Sequence, residues 1–193
     1  MSSDKTIRTF LAIEIPKEIL EQFERLQYRL GQSMTGVIRW AKPGSTHLTL
    51  KFFGNIAERD IRTIEDALKA KAPAFAPIPI AVGTMGVFPS LSRPRVLWVG
   101  ITTGLKELTA TQAEVESALE KAGFEREQRP YRPHLTLGRM KTDRRIEGLD
   151  KAIESHKDFA AGSFTAREMI LFRSDLKPTG PVYTELAKFK LGE

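Results

Sequence analysis

An α+β fold of two pseudo-symmetric lobes, with antiparallel sheets, outer helices and a cleft between the lobes, is predicted by three features of the sequence. Segments of alternating apolar and polar residues interleave with segments of helical period, and several of the strands are joined by turns too short for a parallel crossover. The tetrapeptide His-Leu-Thr-Leu occurs twice, at 47–50 and 134–137, close to half of the 193-residue chain apart.

Residues 7–15 alternate and are rich in β-branched and aromatic side chains, which predicts a strand. Pro16 then opens a helix that runs to about Gly31, with proline in the favoured first turn. Val37 to Trp40 and Thr46 to Phe53 are strands separated by the turn residues Lys42-Pro43-Gly44, a spacing that predicts a hairpin. Ile61, Ile64, Ala67 and Leu68 lie at helical spacing within 58–72, and Pro73 closes that helix. Strands follow at 77–88 and 95–101, joined by the loop 89–94. Leu105, Leu108, Val115 and Leu119 define an amphipathic helix over 105–122 with Gly123 as its stop signal. The pattern then recurs as a strand at 131–139, a short helix at 149–156, and strands at 164–172 and 182–189. No linker divides the halves, so the whole chain, 1–193, reads as one bilobal domain with one motif per lobe.

The 41% hydrophobic and 28% charged fractions are those of a folded globular chain and exclude a compositionally disordered one. No apolar run approaches the roughly 18 residues needed to cross a bilayer, and Met1 to Lys5 lack the apolar core of a signal peptide. A cytoplasmic protein without membrane contact is therefore expected. With no cysteine, disulfides and thiolate zinc sites are excluded. A formal charge of +6 favours polyanionic partners, although a basic surface kept for solubility explains it equally well.

Chemistry enters with the duplicated tetrapeptide. Side chains alternate across a strand, so His47 and Thr49 share one face while Leu48 and Leu50 share the other, and His134 to Leu137 repeat the arrangement. The leucines anchor in a core, and the histidine and threonine of each copy face a common cleft. A single copy reads as ordinary strand sequence with a histidine at its edge. A repeated core strand accounts for the leucines, but not for the recurrence of both polar residues. In-line displacement at phosphorus requires a base on the attacking oxygen and an acid on the leaving oxygen, on opposite sides of the phosphorus. Two facing imidazoles, with an unperturbed pKa near 6.5, supply one neutral and one protonated member without a metal. The hydroxyls of Thr49 and Thr136 suit the non-bridging oxygens, where charge develops.

With these motifs, Arg8-Thr9-Phe10-Leu11-Ala12, Phe52-Phe53-Gly54, Arg139 and Tyr183-Thr184, the chain resembles the two-histidine (2H) phosphoesterase superfamily nearly end to end. Within it, the similarity is to the RNA 2′,3′-cyclic phosphodiesterases once called 2′-5′ RNA ligases. The resemblance implies a cofactor-free and metal-independent enzyme, and a monomer is expected. It implies hydrolysis of RNA 2′,3′-cyclic phosphate ends to 2′-phosphomonoesters, with His47 as proton donor, His134 as proton acceptor and ligation as a minor reverse activity. The identical motifs do not distinguish the two roles; their direction rests on the resemblance.

Arg139 is the further phosphate ligand the resemblance implies. Strict alternation from His134 turns it away from the cleft unless the strand bends near Gly138. Phe10 and Phe52 are expected in the core, Tyr131 is expected to face the ligand, and His156, in a polar run without a threonine two positions on, reads as a surface residue. Phosphate-loop, HExxH and GxSxG motifs are absent. Two rival functions share these residues: a non-catalytic RNA-end-binding module, which would bind without turnover, and a phosphodiesterase for a small cyclic nucleotide, which would differ in its loops.

Overall fold

The computed structural model describes residues 5–178 and 180–192. Among them, β1 (Thr6–Glu14) leads into α1 (Lys17–Ser33), the short β2 (Ile38–Trp40) and β3 (His47–Ala57). Then come α2 (Asp60–Lys71), β4 (Ile78–Phe88), β5 (Val96–Thr103) and α3 (Leu105–Lys121). The order ends with β6 (Leu135–Met140), α4 (Leu149–Glu154), β7 (Ala160–Ala166), β8 (Glu168–Lys177) and β9 (Gly180–Lys190). The strands form two antiparallel sheets, β3-β1-β8-β9 and β2-β6-β5-β4-β7, as the α+β reading requires.

The halves of the sequence are not the lobes. The expected hairpin between 37–40 and 46–53 does not form: β2 pairs with β6 through Ile38↔Met140, Arg39↔Arg139 and Trp40↔Gly138, and β3 pairs with β1. Local turn chemistry yields to a tertiary contact, because Ile38 is buried against the second sheet and Ala41 N donates to the Leu137 carbonyl at 3.0 Å. The strand expected at 164–172 is likewise two strands. β7 pairs with β4 in the second sheet and β8 with β1 in the first, so the chain crosses between sheets at Arg167. The Arg167 carbonyl accepts from Leu191 N at 2.8 Å. Two apolar runs separated by one residue look continuous in sequence, yet each satisfies its backbone in a different ladder.

Helices are exchanged as well. α1 follows a strand of the first sheet and packs on β7 of the second, burying Ile19, Phe23, Leu26 and Leu30. α3 follows a strand of the second sheet and packs on β3 of the first, burying Leu108, Val115 and Leu119. One contiguous apolar core therefore runs behind both sheets. Leu48, Leu50, Leu135 and Leu137 are all in it, at 2% exposure or less. Full burial of such a side chain stabilises by about 1.5–3 kcal/mol.

Within this apolar layer lies one ion pair. Lys51 Nζ of β3 is 2.6 Å from Glu116 Oε2 of α3, with the two side chains 3% and 4% exposed. Lys51 also donates to the Glu125 carbonyl at 2.8 Å, and Glu116 Oε1 accepts from Gln112 at 3.2 Å. The charges are compensated, so the pair acts by joining β3 to the segment that leads toward His134. Removing one partner strands the other charge in an apolar layer, and the expected loss for Glu116→Leu is about 3–5 kcal/mol. The double variant Lys51→Met/Glu116→Leu is expected to recover most of it. Urea unfolding of both checks this; a single variant as stable as the wild type would contradict the assignment.

Candidate active site

Both His-Leu-Thr-Leu strands carry the same distortion. On β1, Ala12 faces Thr49 and Leu11 faces Lys51, leaving Leu50 as an extra residue; on β5, Trp98 faces Thr136 and Leu97 faces Gly138, leaving Leu137 as the extra residue. Each is a β-bulge that inserts one residue and resets the alternation of faces. Gln27 of α1 donates to the Leu137 carbonyl at 3.0 Å and to the Ala41 carbonyl at 2.8 Å. Gln112 of α3 donates to the Leu50 carbonyl at 3.4 Å. Each bulge is thus held from behind by a glutamine on the helix of the opposite half.

The bulges decide what shares a face with the histidine and threonine of each strand. His47, Thr49, His134 and Thr136 are all half-buried, while the leucines between them are buried, as expected. Five residues after each histidine, the reset alternation returns a side chain to the cleft face: Phe52 in the first copy and Arg139 in the second. The bulge at Leu137 removes the objection that strict alternation raises against Arg139. Phe52 is 47% exposed, contrary to its expected core position, and stacks on Phe10 with ring centroids 5.8 Å apart. Tyr131, expected to face a ligand, instead packs against the core and donates from its hydroxyl to the Thr49 carbonyl at 3.1 Å. Burial raises its phenol pKa. His156 is half-buried just beyond α4, where Nδ1 lies 2.9 Å from the Ala152 carbonyl, and takes no part in the cleft.

Each imidazole bonds backbone two residues before it. His134 Nδ1 lies 2.7 Å from the carbonyl of Arg132. A carbonyl only accepts, so Nδ1 carries the proton and Nε2 of the neutral ring holds a free lone pair. His47 likewise bonds the Ser45 carbonyl, again two residues earlier. Their surroundings differ. His47 stacks on Phe10 at 4.4 Å with a 23° interplanar angle, meets Tyr183 edge-on at 5.1 Å and lies 6.5 Å from Phe172. Phe10 is 1% exposed and, with Ala12, Ile170 and Phe172, forms a second small core beneath this ring. His134 meets the edge of Phe88 at 5.0 Å. Burial lowers the His47 pKa to about 4, outweighing the Ser45 carbonyl, which acts in the opposite direction.

Arginines gather on the same face. Arg8 lies over the Phe52 ring at 4.8 Å. Burial raises the Tyr183 phenol, and the positive charges of Arg139 and Arg8 act against it, which brings both arginines into the surroundings of the ring that touches His47. In the sequence Arg8 and Tyr183 stand only within the resemblance; the alternation of residues 8, 10 and 12 along β1 is a signal from which the shared face of Arg8 and Phe10 could have been read. Among the described residues, no group of three or more His, Asp or Glu side chains is placed to hold a metal ion. No helix among them is long and apolar enough to cross a membrane.

The chain is similar to known proteins over nearly its whole length. The model of the 2′-5′ RNA ligase superfamily matches residues 15–178. The chain is 33% identical over 185 residues to the RNA 2′,3′-cyclic phosphodiesterase of Methanothermobacter thermautotrophicus, covering 96% of this chain and 99% of that protein. It is 34% identical over 177 residues to the protein of the same name from Methanocaldococcus jannaschii, covering 92% and 96%. Among solved structures, TT0787 of Thermus thermophilus matches with a TM-score of 0.80 at 26% identity, over 97% of this chain and 100% of that one. E. coli LigT complexed with 3′-AMP matches in fold with a TM-score of 0.79 at 22% identity, over 98% and 100%.

The buried His47 ring gives folding a particular acid sensitivity. Its folded pKa of about 4 lies below the ordinary 6.5, so the unfolded chain binds the proton first as pH falls. The stability this contributes is present above 6.5 and is lost between 6.5 and about 4, by an amount on the order of 3 kcal/mol. Urea midpoints measured across that window are expected to fall more steeply for the wild type than for His47→Asn; equal slopes would contradict it.

Proposed function

The chain belongs to the 2′-5′ RNA ligase superfamily, and from that membership and the cleft geometry we propose that it hydrolyses RNA 2′,3′-cyclic phosphate ends to 2′-phosphomonoesters without a metal. The observation that carries this reading is the matched pair of imidazoles. Each has one ring nitrogen bonded to the carbonyl two residues earlier and a threonine two residues later on the same face. The other ring nitrogen of each is left to meet a substrate.

In this reading a water attacks the cyclic phosphorus and passes a proton to Nε2 of His134, while the bond from phosphorus to the 3′-oxygen breaks and that oxygen takes a proton from His47. The products are a 2′-phosphomonoester and a free 3′-hydroxyl. Thr49 and Thr136 donate to the non-bridging oxygens, whose charge grows in the transition state. Arg139 supplies a planar cationic donor pair to the same anion. With a 5′-hydroxyl in place of water as the attacking group and the 3′-oxygen again leaving, the same acid and base join two RNA ends through a 2′-5′ linkage, as a minor activity.

His47 is neutral near pH 7 in the free protein, because burial opposes its charge. A donor role therefore requires proton uptake when substrate binds. The phosphodiester anion supplies the reason, since a negative charge beside the ring favours the imidazolium. Sulfate, which keeps its charge over this range, is expected to bind more tightly as pH falls from about 8 to about 6, and His47→Asn to lose much of that dependence. Competitive inhibition at several pH values measures it; affinity independent of pH in the wild type would remove the proposed coupling.

The reaction is tested on an oligoribonucleotide ending in a 2′,3′-cyclic phosphate, with EDTA present and with 2′- and 3′-phosphate products separated. The wild type is expected to form the 2′-phosphate alone. His47→Ala and His134→Ala are each expected to lose about 10²–10⁴-fold in rate, the usual worth of one positioned acid or base. Binding without turnover would establish the end-binding alternative, and turnover abolished by EDTA would refute metal-free chemistry.

A further inference from the structure

The edge strand β2 carries a charge that the proposed reaction does not use. Arg39 stands directly opposite Arg139 in the β2–β6 ladder. Directly opposed residues in an antiparallel pair share a face, with Cβ atoms about 4.5–5.5 Å apart, and like charges there are destabilising. The face is the cleft face. Ile38 is buried in the core and Trp40 packs against it, so Arg39 between them points the other way, and Met140, opposite Ile38, packs on the core side.

Other arginines have carboxylate neighbours: Arg95 lies near Asp143, Arg126 pairs with Glu120 and Arg173 with Asp175. Neither Arg39 nor Arg139 has an acidic partner among the described residues. The repulsion is also held in place. A side chain at Gly138 would bring its Cβ within 2.6 Å of Ile38 Cγ2 and 3.2 Å of the Arg39 carbonyl, so β2 lies close on β6 because position 138 has none. Two exposed guanidinium groups kept together without a counterion form a site for an external anion.

We infer that Arg39, held beside Arg139, binds the internucleotide phosphate preceding the cyclic end, so that an oligoribonucleotide is favoured over a cyclic mononucleotide. The bulge at Leu137 returns Arg139 to the face of His134 and Thr136, its charge reaches Tyr183, which touches His47, and Arg39 continues the positive surface onto the sheet edge. A cyclic mononucleotide has a single phosphate, which the histidines and threonines occupy. An RNA chain presents the next diester along the same path, and guanidinium groups suit its two free oxygens. This assignment rests on the hydrolytic reading above and goes beyond it by placing a second phosphate subsite at Arg39.

The test compares kcat/KM for a trinucleotide ending in a 2′,3′-cyclic phosphate with that for the corresponding cyclic mononucleotide. The ratio of the two is expected to fall by about tenfold in Arg39→Ala, and the salt dependence for the trinucleotide to weaken by about 0.7 in log–log slope. A trinucleotide with a neutral methylphosphonate in place of the last internucleotide phosphate should reduce the wild type to the level of the variant, with no further loss in the variant. An unchanged ratio, or losses that simply add, would overturn the second subsite while leaving hydrolysis intact. If the wild type turns over neither substrate, the hydrolytic reading fails and this assignment falls with it.

Discussion

Each histidine strand is held from behind by a helix that belongs to the other half of the chain, and the alignment of the two imidazoles depends on that exchange. Gln27 reaches from α1 to Leu137, and Gln112 from α3 to Leu50. Tyr131 and Lys51 add links between the segment that leads to His134 and the strand that carries His47. Neither motif is positioned by its own neighbours in sequence. Because packed interiors deform little, a shared core behind both sheets fixes the relation of two strands whose histidines are 87 residues apart in number, at 47 and 134.

The bulges are the local expression of the same constraint. Without an extra residue at Leu50 and Leu137, alternation would send Phe52 and Arg139 into the apolar layer, where an arginine would need a compensating charge. With it, an aromatic ring and a guanidinium occupy corresponding places in the two lobes. The duplicated frame is thereby made chemically asymmetric: one lobe offers a stacking surface beside its histidine, and the other offers cations.

Electrostatics follow from that asymmetry. His47 lies in an aromatic setting that keeps it neutral, while Arg8 and Arg139 stand close enough to influence the neighbouring Tyr183. Arg39 is held beside Arg139 by strand pairing in spite of repulsion. A face that disfavours its own protonation and concentrates unpaired cations is poorly satisfied when empty and well satisfied by an anion. The cost of holding that face ready for a phosphate is offset elsewhere in the fold, through the buried leucines behind both sheets.

By itself, the sequence determined the class of fold, the common face of the histidine and threonine in each motif strand, and the burial of the leucines between them. These follow from short-range periodicity and from a duplicated tetrapeptide, and short-range periodicity survives folding because it is set by backbone geometry. The tertiary structure alone decided that β2 leaves β3 for β6, that the chain changes sheets at Arg167, that Phe52 faces the cleft and that Arg39 opposes Arg139. These depend on which distant ladder satisfies a backbone and on where a single bulged residue resets the alternation. The physical reason is that pairing partners and bulges are chosen by the free energy of the whole core, and no window of local sequence contains it.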